Sequence, residues 1–347
     1  MKENNFSRNK IKKIEDSIID ENNARNIFLY AYSEKKVDKE KLARAILKTN
    51  NSRYINLFFY HFNDIYRREF FDKILSFNNS KDIFYAIYNS ERLEDIYFLG
   101  GLKKLIILED KKYISLLCYY YFVILNRYNK DMLKIASKVM ENVTKNNVKK
   151  KATIELEKYK VKVKEYNKFC CNKFLGHNNI VPDIIVCHIS MDYGKIIETF
   201  YDENSKVSSH FAVSRKGSYT QFVDLKDSAW ANGTSLNSES DVYYKFAKSE
   251  IVKTRKMNAN YYTYSIEHES FDGTLTKEQY DCTIRLMCKI IDYIKENYGK
   301  NFEIDEKHII GHIDVNPIVR TKCPGNKFPI KNIIHDLQKI YNYKEKK

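Results

Sequence analysis

In the first 160 residues, apolar runs such as KKYISLLCYYYFVIL alternate with short polar turns, and Gly100 and Gly101 are the only glycines or prolines. Such a stretch predicts continuous helices joined by tight connections. An internal repeat sharpens the prediction. Asn23-Ala-Arg-Asn-Ile27, Asn51-Ser-Arg-Tyr-Ile55 and Asn79-Ser-Lys-Asp-Ile83 recur every 28 residues, and ILKTNNSRYI at 46–55 returns as ILSFNNSKDI at 74–83. Each unit has room for two short helices around an Asn-rich turn, and a fourth, looser unit begins near Asp110. A unit this short cannot bury its apolar face alone, so stacking into a helical solenoid is expected. Phe58, Phe59, Tyr60, Phe84 and Tyr85 are expected to form the repeat core rather than a sugar-stacking platform. The charged stretch from Lys145 to Lys168 predicts an exposed connecting helix.

Beyond Gly176 the periodicity switches. DIIVCHIS is a short apolar run typical of a buried strand, and SHFAVSRKGSYTQFVD alternates across a turn at 215–217. On the first of these strands Cys187 and His188 face opposite ways, so at most one of them serves as a ligand. Residues 239–257 read as a helix, YYTYSIEHE as a strand, and Thr276–Tyr298 as an amphipathic helix capped by threonine and stopped by Gly299. HIIGH reads as a strand, and 332–343 as a closing helix. Strands interleaved with helices define an α/β domain over 176–347, preceded by an all-α repeat domain over 1–168.

Gly311 to Gly325, GHIDVNPIVRTKCPG, places a histidine and a cysteine on one bent loop. Neutral imidazole and thiolate are preferred ligands of Zn²⁺, and three protein donors with an open fourth position mark a catalytic zinc. His312 and Cys323 are eleven residues apart, too far for a CxxC knuckle. Taken singly, His312 would be a satisfied strand histidine and Cys323 a small apolar filler. Their surroundings change that. GHIDVNP followed by TKCPG resembles the zinc loop of the N-acetylmuramoyl-L-alanine amidase family, whose fold is shared by phage lysozyme-type amidases and peptidoglycan recognition proteins. IIVCHIS (184–190), SSHFAVSRKGSYTQFVD (208–224), AWANG and YSIEHES (264–270) follow in family order, so the resemblance spans about 180–340.

The resemblance implies a mixed sheet flanked by helices and one zinc per chain, held by His188, His312 and Cys323. It implies Glu267 as the acidic catalyst, although Glu269 shares its face of the strand and sequence geometry does not separate the two. It also implies Lys322 as a transition-state stabiliser, and His210, Trp230 and Asn232 at the substrate cleft. Departures from the family pattern are visible. Ser209 stands where many relatives have tyrosine, and Trp230-Ala231-Asn232-Gly233 replaces a tryptophan-histidine-alanine-glycine loop. Lys322 lies one residue before Cys323, where a lysine two before the ligand is usual. Asp314 is expected to orient His312. His308 is expected to be structural, because HxxxH ligation needs a helix.

Composition narrows the setting. With 347 residues, 43% of them hydrophobic, the chain has room for two cores. Residues 1–165 carry 34 Lys+Arg against 22 Asp+Glu, a net +12, whereas the remainder carries 26 against 23, a net +3. A basic half attracts polyanions, whether nucleic acid, an acidic membrane surface or anionic wall polymers such as teichoic acids, and the sign of the charge does not choose among them. No nucleic-acid motif accompanies the charge, which argues against a nucleic-acid binder. The amino-terminal residues lack an apolar segment and no run approaches the ~20 residues of a membrane span. Synthesis in the cytoplasm without a signal peptide is therefore expected, with action on the wall after release. Seven scattered cysteines are expected as reduced thiols. The function implied is hydrolysis of the amide between N-acetylmuramic acid and the stem peptide's L-alanine, as in an endolysin or autolysin. The alternative is a non-catalytic peptidoglycan-binding protein of the same fold, and for the repeats an assembly role, dimerisation included.

Overall fold

The computed structural model describes residues 2–345 except 63, 91–93, 142, 163–165, 167 and 235–242. It divides the chain into two compact units, Met1–Tyr159 and Lys160–Lys347.

The described residues of the first unit are helical or lie in turns. Helices Ala24–Ser33, Ser52–His61 and Ser80–Asn89 begin 28 residues apart, and Lys39–Lys48, Arg67–Ser76 and Asp95–Ile107 keep the same interval between them. Pairs of neighbouring residues set this rhythm. Asn22, Asn50 and Asn78 take left-handed backbone conformations, with φ of 49°, 53° and 52°. Asn23, Asn51 and Asn79 then cap the next helix, each side chain accepting from first-turn N–H groups. Asparagine tolerates positive φ better than most residues and is among the best N-caps, so an Asn-Asn pair both turns the chain and starts the helix. Glu109 and Asp110 repeat the device before helix Lys111–Tyr119. Ile27, Phe28, Ile55, Phe58, Ile83 and Phe84 are fully buried, and Phe58 stacks on Phe70 at 5.0 Å. Phe59 is buried with them, whereas Tyr60 is half-buried and Tyr85 exposed.

The charged stretch 145–168 does not form a single connecting helix. Helix Val148–Glu157 buries Val148 and Ala152. Residues 160–162 instead belong to the second unit, where the Val161 N–H donates to Asp192 at 2.8 Å. Gly194 permits that approach, since a Cβ there would sit 1.8 Å from the Val161 carbonyl oxygen.

The second unit is built on a five-stranded sheet. Among the described residues there are seven strands: β1 (Lys173–Phe174), β2 (Ile184–Ser190), β3 (Phe211–Val213), β4 (Tyr219–Gln221), β5 (Ser228–Ala229), β6 (Thr263–Glu269) and β7 (Ile309–Gly311). β1 pairs with β5, and the main sheet runs β4-β3-β6-β2-β7. Its strands are parallel except for β4, which lies antiparallel to β3 at the edge. Helices cover the sheet. Leu286, Ile290 and Ile294 of helix Lys277–Tyr298 pack with Leu337 of Ile330–Glu345 against Ile185, Cys187 and Ile266. Alternation sends Ile184 and Val186 to the opposite side, into a second cluster with Val252, Tyr262 and Val315. Helix Lys277–Tyr298 starts at a Thr276–Gln279 capping box and stops at Gly299, φ 65°.

The single helix expected over 239–257 is not formed. Residues 239–242 lie outside the described set, Tyr243–Phe246 is a short 3₁₀ turn, and an α-helix runs only from Glu250 to Arg255. The break has a partner. The N–H groups of Lys248 and Ser249 both donate to the Asp314 carbonyl, at 2.8 and 3.0 Å, and Ser249 caps the helix that follows.

Candidate metal centre

Ligands of open α/β sheets sit beyond the carboxyl ends of parallel strands, and the candidate donors converge there. β2 and β6 pair in register, so His188 lies directly beside Glu267. β7 reaches the same level through Gly311, opposite Cys187, and His312 is the next residue. The His188 and His312 rings approach to 4.3 Å between centroids, inclined at 62°.

Cys323 arrives because its loop folds back on itself. The Ile313 N–H donates to the Cys323 carbonyl at 2.8 Å, so a separation of eleven residues closes to nearest neighbours. The Asn316 N–H donates to the His312 carbonyl and that of Arg320 to the Asn316 carbonyl, at 2.9 and 3.0 Å, which stiffens the interval. Gly325, with φ 95°, leads the chain away through a gap in which a Cβ would lie 2.2 Å from the Asp272 carbonyl oxygen. The Cys323 sulfur accepts a hydrogen bond from the Ile189 N–H at 3.4 Å, next to His188.

One donor atom from each of His188, His312 and Cys323 lies within 4.8 Å of the other two. Burial disfavours charge throughout this pocket. It holds His188 down to about 3 and His312 well below the usual imidazole range, with Arg320 adding to both effects. The Cys323 thiol is pushed up to about 12 by burial and by the neighbouring Glu267. Two neutral imidazoles and a half-buried thiol, with the His188 Nε2 lacking a hydrogen-bond partner among the described residues, fit a borderline divalent cation such as Zn²⁺.

The two carboxylates of this strand face differ in their contacts. Glu269 is fully engaged, one oxygen receiving Lys160 Nζ at 3.4 Å and the other the Arg215 N–H at 3.0 Å. Glu267 has no such anchors. Its Oε1 lies 3.9 Å from His188 Nδ1, its Oε2 is buried without a partner, and burial raises the carboxyl to about 7 against the opposing charge of Arg320.

The remaining expectations divide. His210 does not line a cleft. It is fully buried, with Nε2 against the Asp227 carbonyl at 3.0 Å and Nδ1 accepting from the Ser265 N–H at 3.1 Å, so both ring nitrogens are committed to the backbone. Asn232 is buried too, its amide nitrogen donating to Thr263 and Ser265, which removes it from direct substrate contact. Trp230 is half-buried against Phe174, ring centroids 5.4 Å apart. Asp314 acts on backbone rather than on the His312 ring, accepting from the Gly311 N–H at 2.9 Å.

Lys322 is half-buried. Arg320, three residues before Cys323 and not among the site residues expected from sequence, is a cation whose field acts downward on His188, His312, Glu267 and Cys323 alike. The available signal was a basic residue in the same loop displaced by one position from the usual place. A second donor group, Glu303, Asp305 and His308, is occupied internally. Asp305 Oδ1 accepts from the N–H groups of Lys307 and His308 and from His308 Nδ1, at 2.9, 3.0 and 2.7 Å, so His308 is a structural residue.

A mixed, mostly parallel sheet with a His-His-Cys donor set and an adjacent carboxylate has the parts of a metal-assisted hydrolase. Comparison with known proteins names the class more closely: residues 177–326 match the model of the N-acetylmuramoyl-L-alanine amidase family. The match lies within the carboxyl-terminal half of the chain. Among solved structures, one described as a selenomethionine AmpD derivative is similar at 19% identity and a TM-score of 0.35, covering 49% of this chain and 92% of its own. None of the curated proteins compared matches the chain.

Proposed function

We propose that the second unit is a zinc amidase that hydrolyses the bond between the lactyl group of N-acetylmuramic acid and the stem peptide's L-alanine. The observation that carries this reading is the unanchored Glu267 carboxylate held in strand register beside a His-His-Cys donor set of two buried imidazoles and a half-buried thiol. His188, His312 and Cys323 would hold one zinc ion, which supplies Lewis acidity for amide hydrolysis. Glu267 takes a proton from the attacking water and returns it to the leaving amine, a task suited to a carboxyl tuned near neutrality. Arg320 supplies positive charge facing the oxygen on which negative charge develops. Glu269, tied to Lys160 and Arg215, braces the strand end.

Digestion of purified walls with the zinc-loaded protein tests the reading. New N-terminal L-alanine is expected, whereas new reducing sugar would indicate a glycosidase. Wall binding without release of either would favour the non-catalytic alternative. Arg320→Ala is expected to lower kcat by about 10²-fold, with Lys322→Ala near wild type, as for loss of one electrostatic stabiliser. Equal losses from both variants would return Lys322 to the site.

For the first unit, residues 1–159, a net charge of +10 from 31 Lys+Arg against 21 Asp+Glu supports docking on an anionic wall polymer. Among the described residues no helix is long and apolar enough to cross a membrane. Co-sedimentation of the full chain with walls should weaken as salt shortens the Debye length, ~10 Å at 0.1 M. Salt-independent pelleting would instead leave assembly as the better role.

A further inference from the structure

We propose that the first unit grips an anionic wall polymer through its last helices, where Lys145 and Lys149 converge on the exposed ring of Tyr128 and a phosphate of the polymer seats between their ammonium groups. The inference rests on the reading of this unit as the part that docks on the wall.

The charge of the unit is concentrated. Residues 111–151 carry 10 Lys+Arg against 2 Asp+Glu, a net +8, whereas the rest of 1–159 carries 21 against 19, a net +2. Nine of those ten cations are exposed, so the excess faces solvent rather than compensating buried acids. The segment is also packed together, because helix Val148–Glu157 lies against both Lys111–Tyr119 and the π-helical turn Tyr120–Ile124 that continues it.

Within this surface two lysines share one ring. Lys145 Nζ stands 5.6 Å and Lys149 Nζ 6.0 Å from the Tyr128 centroid, and Lys149 Nζ donates to Asn126 Oδ1 at 2.6 Å, which holds it there. Neither lysine has a carboxylate partner among the described residues. Both ammonium groups thus lie within a separation comparable to the ~10 Å Debye length at 0.1 M salt and repel each other, which the weak attraction of an exposed ring offsets only in part. A phosphate between them removes that repulsion. Tyr128 is 40% exposed and leaves its ring face for the carbons of a polyol or sugar. Binding single-stranded nucleic acid through its bases takes a succession of exposed rings, and Tyr128 is the only exposed aromatic among the described residues of 111–151. A phosphodiester chain without bases is the polyanion this surface fits.

The test sediments the full chain, across a salt series, with purified walls bearing poly(glycerol phosphate), before and after hydrofluoric acid strips that polymer. Wild-type binding should fall with salt and be lost on stripped walls. Lys145→Gln/Lys149→Gln is expected to bind untreated walls about 10-fold more weakly at 0.1 M salt and to flatten the log–log salt slope by about 1. Lys35→Gln/Lys36→Gln, an equal charge change on two exposed lysines outside 111–151, should stay within about 2-fold of wild type. Both should keep the wild-type unfolding midpoint. Should the double variant misfold, Lys145→Gln alone leaves the Lys149–Asn126 bond intact and should still bind about 3-fold more weakly. Equal losses from the two double variants overturn the cluster and leave wall docking in place. So does an unchanged Lys145→Gln/Lys149→Gln beside a wild type that binds in a salt-dependent way. A wild type that stays in the supernatant at low salt overturns the docking reading and the cluster with it. Tighter binding to single-stranded RNA than to poly(glycerol phosphate), lost in the same variant, would assign the surface to nucleic acid and overturn the wall polymer.

Discussion

Glu267→Gln is expected to retain the fold and the bound metal while turnover falls by about 10²- to 10⁴-fold, the usual contribution of a general acid/base group. The substitution keeps the shape of the side chain beside His188 and removes only its capacity to accept and release a proton. Because burial raises this carboxyl to about 7, the wild-type group stands near the pH at which it can do both. Glu269→Gln is expected to act differently. Its oxygens hold Lys160 and the Arg215 N–H, so the change should loosen the end of β6 and lower activity mildly. Turnover on soluble muropeptide, with zinc content measured on the same samples, separates the two. A Glu269 variant crippled beside a near-normal Glu267 variant would move the proton carrier by two residues.

Cys323→Ser and His188→Ala are expected to lose most bound zinc, and all wall-cleaving activity with it, since two remaining protein donors rarely hold a catalytic zinc. A proton count sharpens this expectation. The half-buried Cys323 thiol, pushed up to about 12, carries its proton in the metal-free site, while both imidazoles are already neutral. Zinc loading should therefore release about one proton, and affinity should rise with pH, because metal and proton compete for the same sulfur. Calorimetry in buffers of different ionisation enthalpy measures that release. Cys323→Ser retaining tight zinc, or wild-type loading that releases no proton, would remove Cys323 from the ligand set.

Much of this was legible in the chain because local chemistry dictated it. The Asn-Asn pairs at 22–23, 50–51 and 78–79 place their turns through one residue's tolerance of positive φ and the next one's ability to cap. The Thr276 box and Gly299 bound a 22-residue helix for equally local reasons. The alternation along IIVCHIS sent Cys187 to the core and left His188 for the site. His312 and Cys323 were nominated by residue type and by the family pattern around them.

Other assignments needed contacts distant in sequence. Glu267 and Glu269 are equivalent by strand period, and only Lys160 and Arg215, brought from 109 and 54 residues away, tell them apart. Arg320 bears electrostatically on the donors from within the 312–323 loop, which closes through the Ile313–Cys323 hydrogen bond that spacing alone cannot reveal. His210 and Asn232 read as cleft residues in a motif, yet Asp227, Thr263 and Ser265 claim their polar atoms in the interior. The helix expected over 239–257 yielded to Asp314, whose carbonyl draws two N–H groups out of helical register. Helix starts, strand faces and ligand types thus follow from each residue's own stereochemistry and hydrogen-bonding groups. Which carboxylate is anchored and which is left without a partner follows from contacts that only the folded chain brings within reach.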